Sequence, residues 1–577
     1  MVKITINNRE VEIKEGKTIL DAAKKLNIEI PTLCHMNMQD GSTENCNGTC
    51  RVCVVEVEGR RNLAPACSTP VTDGMIIKTN TPRAINARRN IVGLLLSDHP
   101  QDCLKCEKNL KCELQKLAAD LGVKEIKYEG EISTYPIDIS SPSVIRDMDK
   151  CILCRRCVTV CNDIQKTYVL TAVNRGFDTV ISSFLSKPFV DTKCTYCGQC
   201  LAVCPTGALR EVYNYDEVWQ VLSDKDKYVI VQTAPAVRAA LGEEFGLPAG
   251  TDVTKKMVGA LKALGFKKVY DTNFAADLTI VEEANELVDR LKNGGRLPMI
   301  TSCCPAWINY LETNYGDMLD YPSSCKSPQQ MFGAIAKTYL ADKLGIEVEN
   351  LVLVSVMPCV AKKFEANEEE FKKNAIKDVD IVITTRELAK MIKEAGMDLT
   401  NMEEQEFDNP LGEATGAGVI FGNSGGVMEA ALRTAYEILT GKELGKLEFN
   451  EVRGLEGIKE TSVKLEDIDL KVAVISSLGN AKKVMDDIRA GVCKYDFVEV
   501  MACPGGCIDG GGQPFIRANR EILRKRMEVL YEGDSNMTIR KSHENPIIKQ
   551  IYNEFLEYPN SPLAHALLHR GYKNRKQ

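Results

Sequence analysis

Cys151-x2-Cys154-x2-Cys157-x3-Cys161 returns forty-odd residues later as Cys194-x2-Cys197-x2-Cys200-x3-Cys204-Pro205. This is the ligand run of a protein holding two 4Fe–4S clusters, in which the fourth thiolate of each run serves the other cluster. Cys151, Cys154, Cys157 and Cys204 are therefore expected on one cluster, and Cys194, Cys197, Cys200 and Cys161 on the second. Chance does not produce the double pattern, so the chain is read as a carrier of single electrons. The internal repeat predicts a short helix after each run. The link 166–188 between the halves is longer than a minimal two-cluster unit needs.

Outward from that repeat, 577 residues are enough for several domains. The 44% hydrophobic and 27% charged content is that of an ordinary globular protein. A net charge of −7 argues against nucleic acid, which selects basic patches. No apolar run approaches a membrane span, and the first six residues lack a signal-peptide shape. The expectation is a cytoplasmic protein without a membrane span. At C-x2-C spacings in a large cytosolic chain, the 23 cysteines point to metal rather than disulfides.

The fold expected is multidomain α/β and α+β, in four parts. Residues 1–80 predict a β-rich module, with a hairpin over 3–14, a helix over 18–26 and a strand over 54–57. Cys34, then Cys50-x2-Cys53, then Cys67 resembles a plant-type 2Fe–2S ferredoxin of β-grasp fold. Cys46 is a competing first ligand; Cys34 is assigned and Cys46 left spare. Residues 81–125 carry His99-x3-Cys103-x2-Cys106-x5-Cys112 between helices. Three thiolates need a fourth ligand, and neutral imidazole supplies it, raising the cluster's potential above that of an all-cysteine site. Alone, His99 would read as a surface histidine before Pro100. Residues 126–212 hold the two-cluster ferredoxin module.

From residue 213 to 577 short apolar runs alternate with helical segments, the pattern of a parallel α/β sheet. Strands are expected over 228–232, 268–271, 297–301, 351–356, 381–384, 472–476 and 497–500, and the tail from 542 reads as helical. Cys303-Cys304, Cys359, and Cys503 with Cys507 each follow one of these strands. Strand carboxyl ends are where open α/β sheets place their sites. Gly505, Gly506, Gly510, Gly511 and Gly512 would let backbone approach an inorganic cluster closely. Cys325 and Cys493 read as buried structural thiols.

Thr301-Ser302-Cys303-Cys304-Pro305-Ala306-Trp307, Met357-Pro358-Cys359-x2-Lys362-Lys363, and Glu499-x-Met501-x-Cys503-x2-Gly506-Cys507-x2-Gly510-Gly511-Gly512-Gln513-Pro514 resemble the three signatures of FeFe (iron-only) hydrogenases. The resemblance covers essentially the whole chain. It implies an H-cluster: a 4Fe–4S cube on Cys304, Cys359, Cys503 and Cys507, bridged by Cys507 to a two-iron centre bearing CO, cyanide and an azadithiolate. Three further 4Fe–4S clusters and one 2Fe–2S cluster complete the set. Lys362 resembles the lysine on the distal cyanide. Ala234, Pro235, Gln329, Met357, Phe421 and Met501 look like pocket-lining positions; Ala236 stands where many members have serine. Cys303 resembles a proton-passing thiol that does not ligate iron, followed outward by Glu283, Ser323, Glu286 and Arg290. From spacing alone, the acids beside Glu282 would be a solvated face.

The implied reaction is the reversible exchange of two protons and two electrons for dihydrogen. By the same resemblance, Ala306 replaces the glycine of many single-chain members and is often seen in catalytic subunits of NAD(P)-linked, sometimes electron-bifurcating, multi-subunit hydrogenases. The chain has no Rossmann fingerprint of its own. The implied electron partner is thus ferredoxin or a flavin- and NAD(P)-binding subunit of a hetero-oligomer. The rivals are a non-catalytic iron–sulfur carrier or assembly factor, which needs neither Cys303 nor Lys362; an electron-input subunit of a respiratory-type dehydrogenase; and a sensory hydrogenase.

Overall fold

A computed structural model describes residues 1–38, 43–465 and 468–575. The chain divides into two compact units. The first comprises Met1–Ile164, Tyr168–Thr192 and Cys200–Arg210; the second comprises Gln165–Thr167, Lys193–Gln199 and Glu211–Gln577.

The first unit opens on a five-stranded sheet in the order Arg9–Ile13, Val2–Ile6, Ile76–Lys78, Val54–Val57, Ala64–Pro65. Val2–Ile6 pairs antiparallel with Arg9–Ile13 and parallel with Ile76–Lys78. The helix Ile19–Lys25 packs Ile19, Leu20, Ala22 and Ala23 beneath it. It starts at Thr18, whose side chain and that of Asp21 close a capping box. Farther on, the short helices Arg156–Thr159 and Gln199–Val203 begin inside the cysteine runs rather than after them. The helical turn itself therefore spaces the third and fourth thiols.

The second unit is built on two sheets. One is wholly parallel, in the order Lys268–Asp271, Tyr228–Thr233, Leu351–Met357, Ile381–Thr384. Leu351–Met357 is buried at all seven positions, as a strand covered on both faces must be. The other sheet runs Met299–Ile300, Phe497–Met501, Ile468–Ser476, Ile458–Leu465. Its last pair is antiparallel, a pairing the alternation argument missed. The strand expected over 297–301 shortens to Met299–Ile300; Pro298 has no N–H for the ladder. The helix Thr272–Asn293 is started by the Asp271 carboxylate, which accepts from Asn273 N, and stopped at Gly294. Among the described residues no helix is long and apolar enough to cross a membrane.

Candidate active site

Three strand ends of the second unit deliver its thiols. Met299–Ile300 leads into Cys303 and Cys304, Leu351–Met357 into Cys359, and Phe497–Met501 into Cys503 and Cys507. Cys304 is the N-cap of the helix Pro305–Asn314, with proline at its first turn. Burial raises the Cys304 thiol, opposed by the Ala502 N–H, which donates to its Sγ at 3.5 Å, and by the amides at the start of that helix. Burial pushes Cys359 up, and the charges of Cys304 and Cys507 add to it. Cys503 is pushed well up by burial and then by Cys359, Cys304 and Cys507. Burial and Cys304 raise Cys507 to about 12. The four thiols are thus buried within reach of one another's charge, and none is in a disulfide. Four convergent soft donors shielded from water are the donor set of an iron–sulfur cube, whose cations remove the cost that burial puts on thiolates.

Glycine is required around them. Gly506 has φ +82°, and a Cβ there would meet Ser424 N at 2.5 Å. A Cβ on Gly511 would meet the Gly198 Cα at 2.8 Å and the Cys197 carbonyl at 3.0 Å. These glycines bring protein backbones together, a nearer cause than the approach to a cluster expected of them.

Lys362 is buried beside the thiols. Its ammonium donates to the Cys303 carbonyl at 3.1 Å and to Glu365 Oε2 at 2.9 Å. The same oxygen accepts from Ser327 Oγ at 2.9 Å and Gln329 Nε2 at 3.0 Å. Glu365 is the residue that sequence reasoning missed. Its only signal was its place three residues after Lys362, on the same helix face. Gln329 Oε1 is buried without a partner, an acceptor left open.

Phe421 and Met501 share a core cluster against which Cys303 and Cys507 pack. Ala234 and Met357 lie in the core of the parallel sheet instead. Pro235 opens the helix Pro235–Arg238, and the Ala236 carbonyl accepts from Gln513 Nε2 at 2.8 Å. Glu499 pins the loop after Phe421, accepting from Gly425 N at 2.7 Å and Met428 N at 2.8 Å.

On the other side of Cys303 lies a line of acids. Burial, then the Glu283 charge, pushes the Cys303 thiol well up. Glu283 is 1% exposed, and its carboxyl is raised to about 8, first by burial and then by Glu286. The Ser323 hydroxyl interacts with Glu283 and donates to Glu286 Oε2 at 2.8 Å. Arg290 donates to Glu286 Oε1 at 2.6 Å and to the backbone carbonyls of Arg296, Asp320, Tyr321 and Pro322 at 3.2, 3.3, 2.9 and 2.8 Å. Glu282 is fully buried, so the helix face is not a solvated acidic one.

In the first unit Cys34 is buried with its thiol on Cys50 and Cys67, and Cys53 meets Cys67. Cys46 is exposed. Cys103, Cys106 and Cys112 lie together, the first two adding to the burial that raises Cys112. His99 Nδ1 is buried without a partner. Burial raises Cys151, Cys154 and Cys157, and the Cys204 charge adds to each. Cys161 and Cys200 also belong to this unit; Cys194 and Cys197 belong to the second. There they pack on the apolar cluster that holds Cys359 and Cys304, and Asn309 Nδ2 donates to the Cys194 carbonyl at 3.2 Å.

Family models match along the chain: "Iron only hydrogenase large subunit, C-terminal domain" over residues 227–511, "Iron hydrogenase small subunit" over 520–575, and "2Fe-2S iron-sulfur cluster binding domain" over 1–82. Residues 88–127 match the "NADH-ubiquinone oxidoreductase-G iron-sulfur binding region" and 141–210 the ferredoxin-like domain of NADH-quinone oxidoreductase subunit 3. The NADP-reducing hydrogenase subunit HndD of Solidesulfovibrio fructosivorans is 55% identical, with 100% of each chain covered. Iron hydrogenase 1 of Clostridium pasteurianum is 42% identical over 99% of this chain and 100% of its own. The solved structure of an apo variant of the FeFe-hydrogenase HydA1 from Chlamydomonas reinhardtii superposes with a TM-score of 0.58 at 44% identity, covering 63% of this chain and 100% of that one.

Proposed function

The chain belongs to the iron-only hydrogenase family, and from that premise we infer which residues perform each part of the interconversion of protons, electrons and dihydrogen. It is a hydrogenase with accessory iron–sulfur domains. The observation that carries the finer reading is that four remote thiols are buried within reach of one another's charge, with a fifth, Cys303, under the charge of Glu283.

Cys304, Cys359, Cys503 and Cys507 would hold the H-cluster cube, with Cys507 also on the two-iron centre. When bound, the H-cluster with its CO, cyanide and azadithiolate ligands supplies the metal chemistry. Lys362 would offer that centre a compact positive charge, held by Glu365 at 2.9 Å. Gln329, Phe421, Met501, Met357, Ala234 and Pro235 shape the pocket and keep water out. Cys303 passes protons at its Sγ, Glu283 at its carboxyl, Ser323 by its hydroxyl, and Glu286 meets the outside with Arg290 beside it.

The proton route has a pH signature. Glu283 keeps its proton through neutrality and loses it above about pH 8. Hydrogen evolution with a saturating reduced dye should fall as pH rises through that value. Glu283→Gln should run at least about 100-fold slower, the low end for proton transfer. Parent rates in Glu283→Gln would exclude it from the route. The whole reading is tested by assaying anaerobically matured, fully metallated protein; neither evolution nor uptake of hydrogen would refute it.

We assign the accessory clusters as one 2Fe–2S on Cys34, Cys50, Cys53 and Cys67 in a β-grasp module, one 4Fe–4S on His99, Cys103, Cys106 and Cys112, and two more in the ferredoxin module. Cys194 and Cys197 pack on the core of Cys304 and Cys359, so electrons reach the cube from that side. His99→Cys adds a thiolate and should lower the potential of one cluster, read by EPR-monitored titration; an unshifted potential would remove His99. The full-length match to a subunit of an NADP-reducing enzyme, with Ala306, favours a cytoplasmic hetero-oligomer with a flavin- and NAD(P)-binding partner over free ferredoxin.

A further inference from the structure

The helix that carries Glu283 and Glu286 also carries Glu282, and the proton route above does not use it. Glu282 accepts from Tyr552 OH and, at 2.8 Å, from the backbone N of Asn560. Its Oε2 faces His569 Nε2 at 3.0 Å. Across the imidazole, Nδ1 lies 2.7 Å from Ser324 Oγ. That hydroxyl lies 3.2 Å from Glu286 Oε2, the oxygen that also accepts from Ser323 at 2.8 Å. Glu286 Oε2 is thus a junction of two hydroxyls, one leading inward to Glu283 and one leading to His569.

The same contacts accommodate two proton arrangements. Ser324 has one proton; while it donates that proton to the Glu286 carboxylate, it must accept from His569 Nδ1. Nε2 faces a carboxylate and donates as well. When Ser324 donates to Nδ1 instead, the imidazole is neutral; donating from both nitrogens, it is an imidazolium. Its charge also answers the buried Glu282, whose other partners, Tyr552 OH and the Asn560 amide, are neutral. The remaining charged or titratable groups around His569 are Glu286, with Arg290 behind it, Cys325, and the exposed His565, whose ring centroid is 4.0 Å away. The tail is held in place by backbone bonds, Arg570 N to the Ser324 carbonyl at 2.7 Å and Lys326 N to the Leu568 carbonyl at 2.8 Å.

We propose that His569 holds a second proton for Glu286 and exchanges it through the Ser324 hydroxyl, with Glu282 as its counter-charge. The proposal rests on the reading of Glu286 as the outer acid of the proton route. In the exchange, His569 Nδ1 gives its proton to Ser324 Oγ as the Ser324 proton passes to Glu286 Oε2. The imidazolium becomes a neutral imidazole that keeps its Nε2 proton on Glu282, and the carboxylate becomes a carboxylic acid. The reverse transfer, once Glu286 has taken a proton from solvent, refills the histidine. One turnover uses two protons, and this arrangement keeps both at the same gate. The C-terminal segment thereby acts as a positioning element of the proton route.

The test compares His569→Gln, Ser324→Ala, their double variant and Glu286→Gln in the full, matured chain. Iron content and the infrared bands of the metal site serve as the folding check. Glutamine keeps hydrogen bonds but cannot carry a proton. His569→Gln is expected to evolve hydrogen about tenfold slower, with KM for the electron donor unchanged and the loss growing toward high pH. Ser324→Ala, which leaves the His569–Glu282 pair intact, should show the same loss even if His569→Gln fails to load iron. The double variant should be no slower than either single one. His569→Gln or Ser324→Ala at parent rates across the pH range, beside a slowed Glu286→Gln, would overturn the second proton store alone. An unslowed Glu286→Gln would instead sink the reading on which it rests.

Discussion

Cys303→Ala is expected to keep the full iron content and to lose about 10³-fold in turnover, within the range for removing a proton-transfer group. The thiol sits one residue before Cys304, yet its surroundings differ from those of the four converging cysteines. The Glu283 carboxyl is the largest charge acting on it, ahead of Cys304 and Cys507. Alanine removes the thiol proposed to pass protons to and from Glu283. It leaves untouched the helix Pro305–Asn314 and the Ala502 N contact that hold Cys304. Iron analysis and a dye-linked assay on the same sample separate the two roles. Lost iron would make Cys303 a ligand; unchanged turnover would move the proton route elsewhere.

Glu365→Gln should lower stability as well as rate. Lys362 and Glu365 are both buried, their side chains 11% and 2% exposed. Removing the charge of one partner strands the other, which typically costs about 3–5 kcal/mol. Lys362 then either gives up its proton or leaves the Cys303 carbonyl, and in either case the pocket loses its aimed cation. The unloaded chain should unfold at lower denaturant by that margin. The matured enzyme should turn over at least about tenfold slower, as is usual when a metal site's supporting contact is removed. A parent-like denaturation midpoint would show that Lys362 is held without Glu365.

These two residues mark where reading the chain by itself succeeded and stopped. Cys303 stood in a motif, so its neighbours in sequence announced it. Glu365 had only helical spacing to Lys362, and its partners Ser327 and Gln329 lie more than thirty residues away. The parallel strands were legible because burial on both faces writes continuous apolar runs, as in Leu351–Met357. The antiparallel edge Ile458–Leu465 was not, because its inner face carries Lys459 and Thr461 where alternation would call for apolar residues, while Ile458 is exposed.

Ligand spacing within a run was determined by sequence alone. The distance between Cys151, Cys154 and Cys157 is set by the covalent chain, so residue counts are already geometry. Choices between distant candidates were made only by the folded molecule. Cys34 rather than Cys46 faces Cys50 and Cys67 because one is carried into the core and the other left outside. Glu282, which reads as surface charge, is enclosed because the tail brings Tyr552 and His569 to it from more than 250 residues away. Local patterns cannot encode such meetings; burial and hydrogen bonding across the whole fold create them.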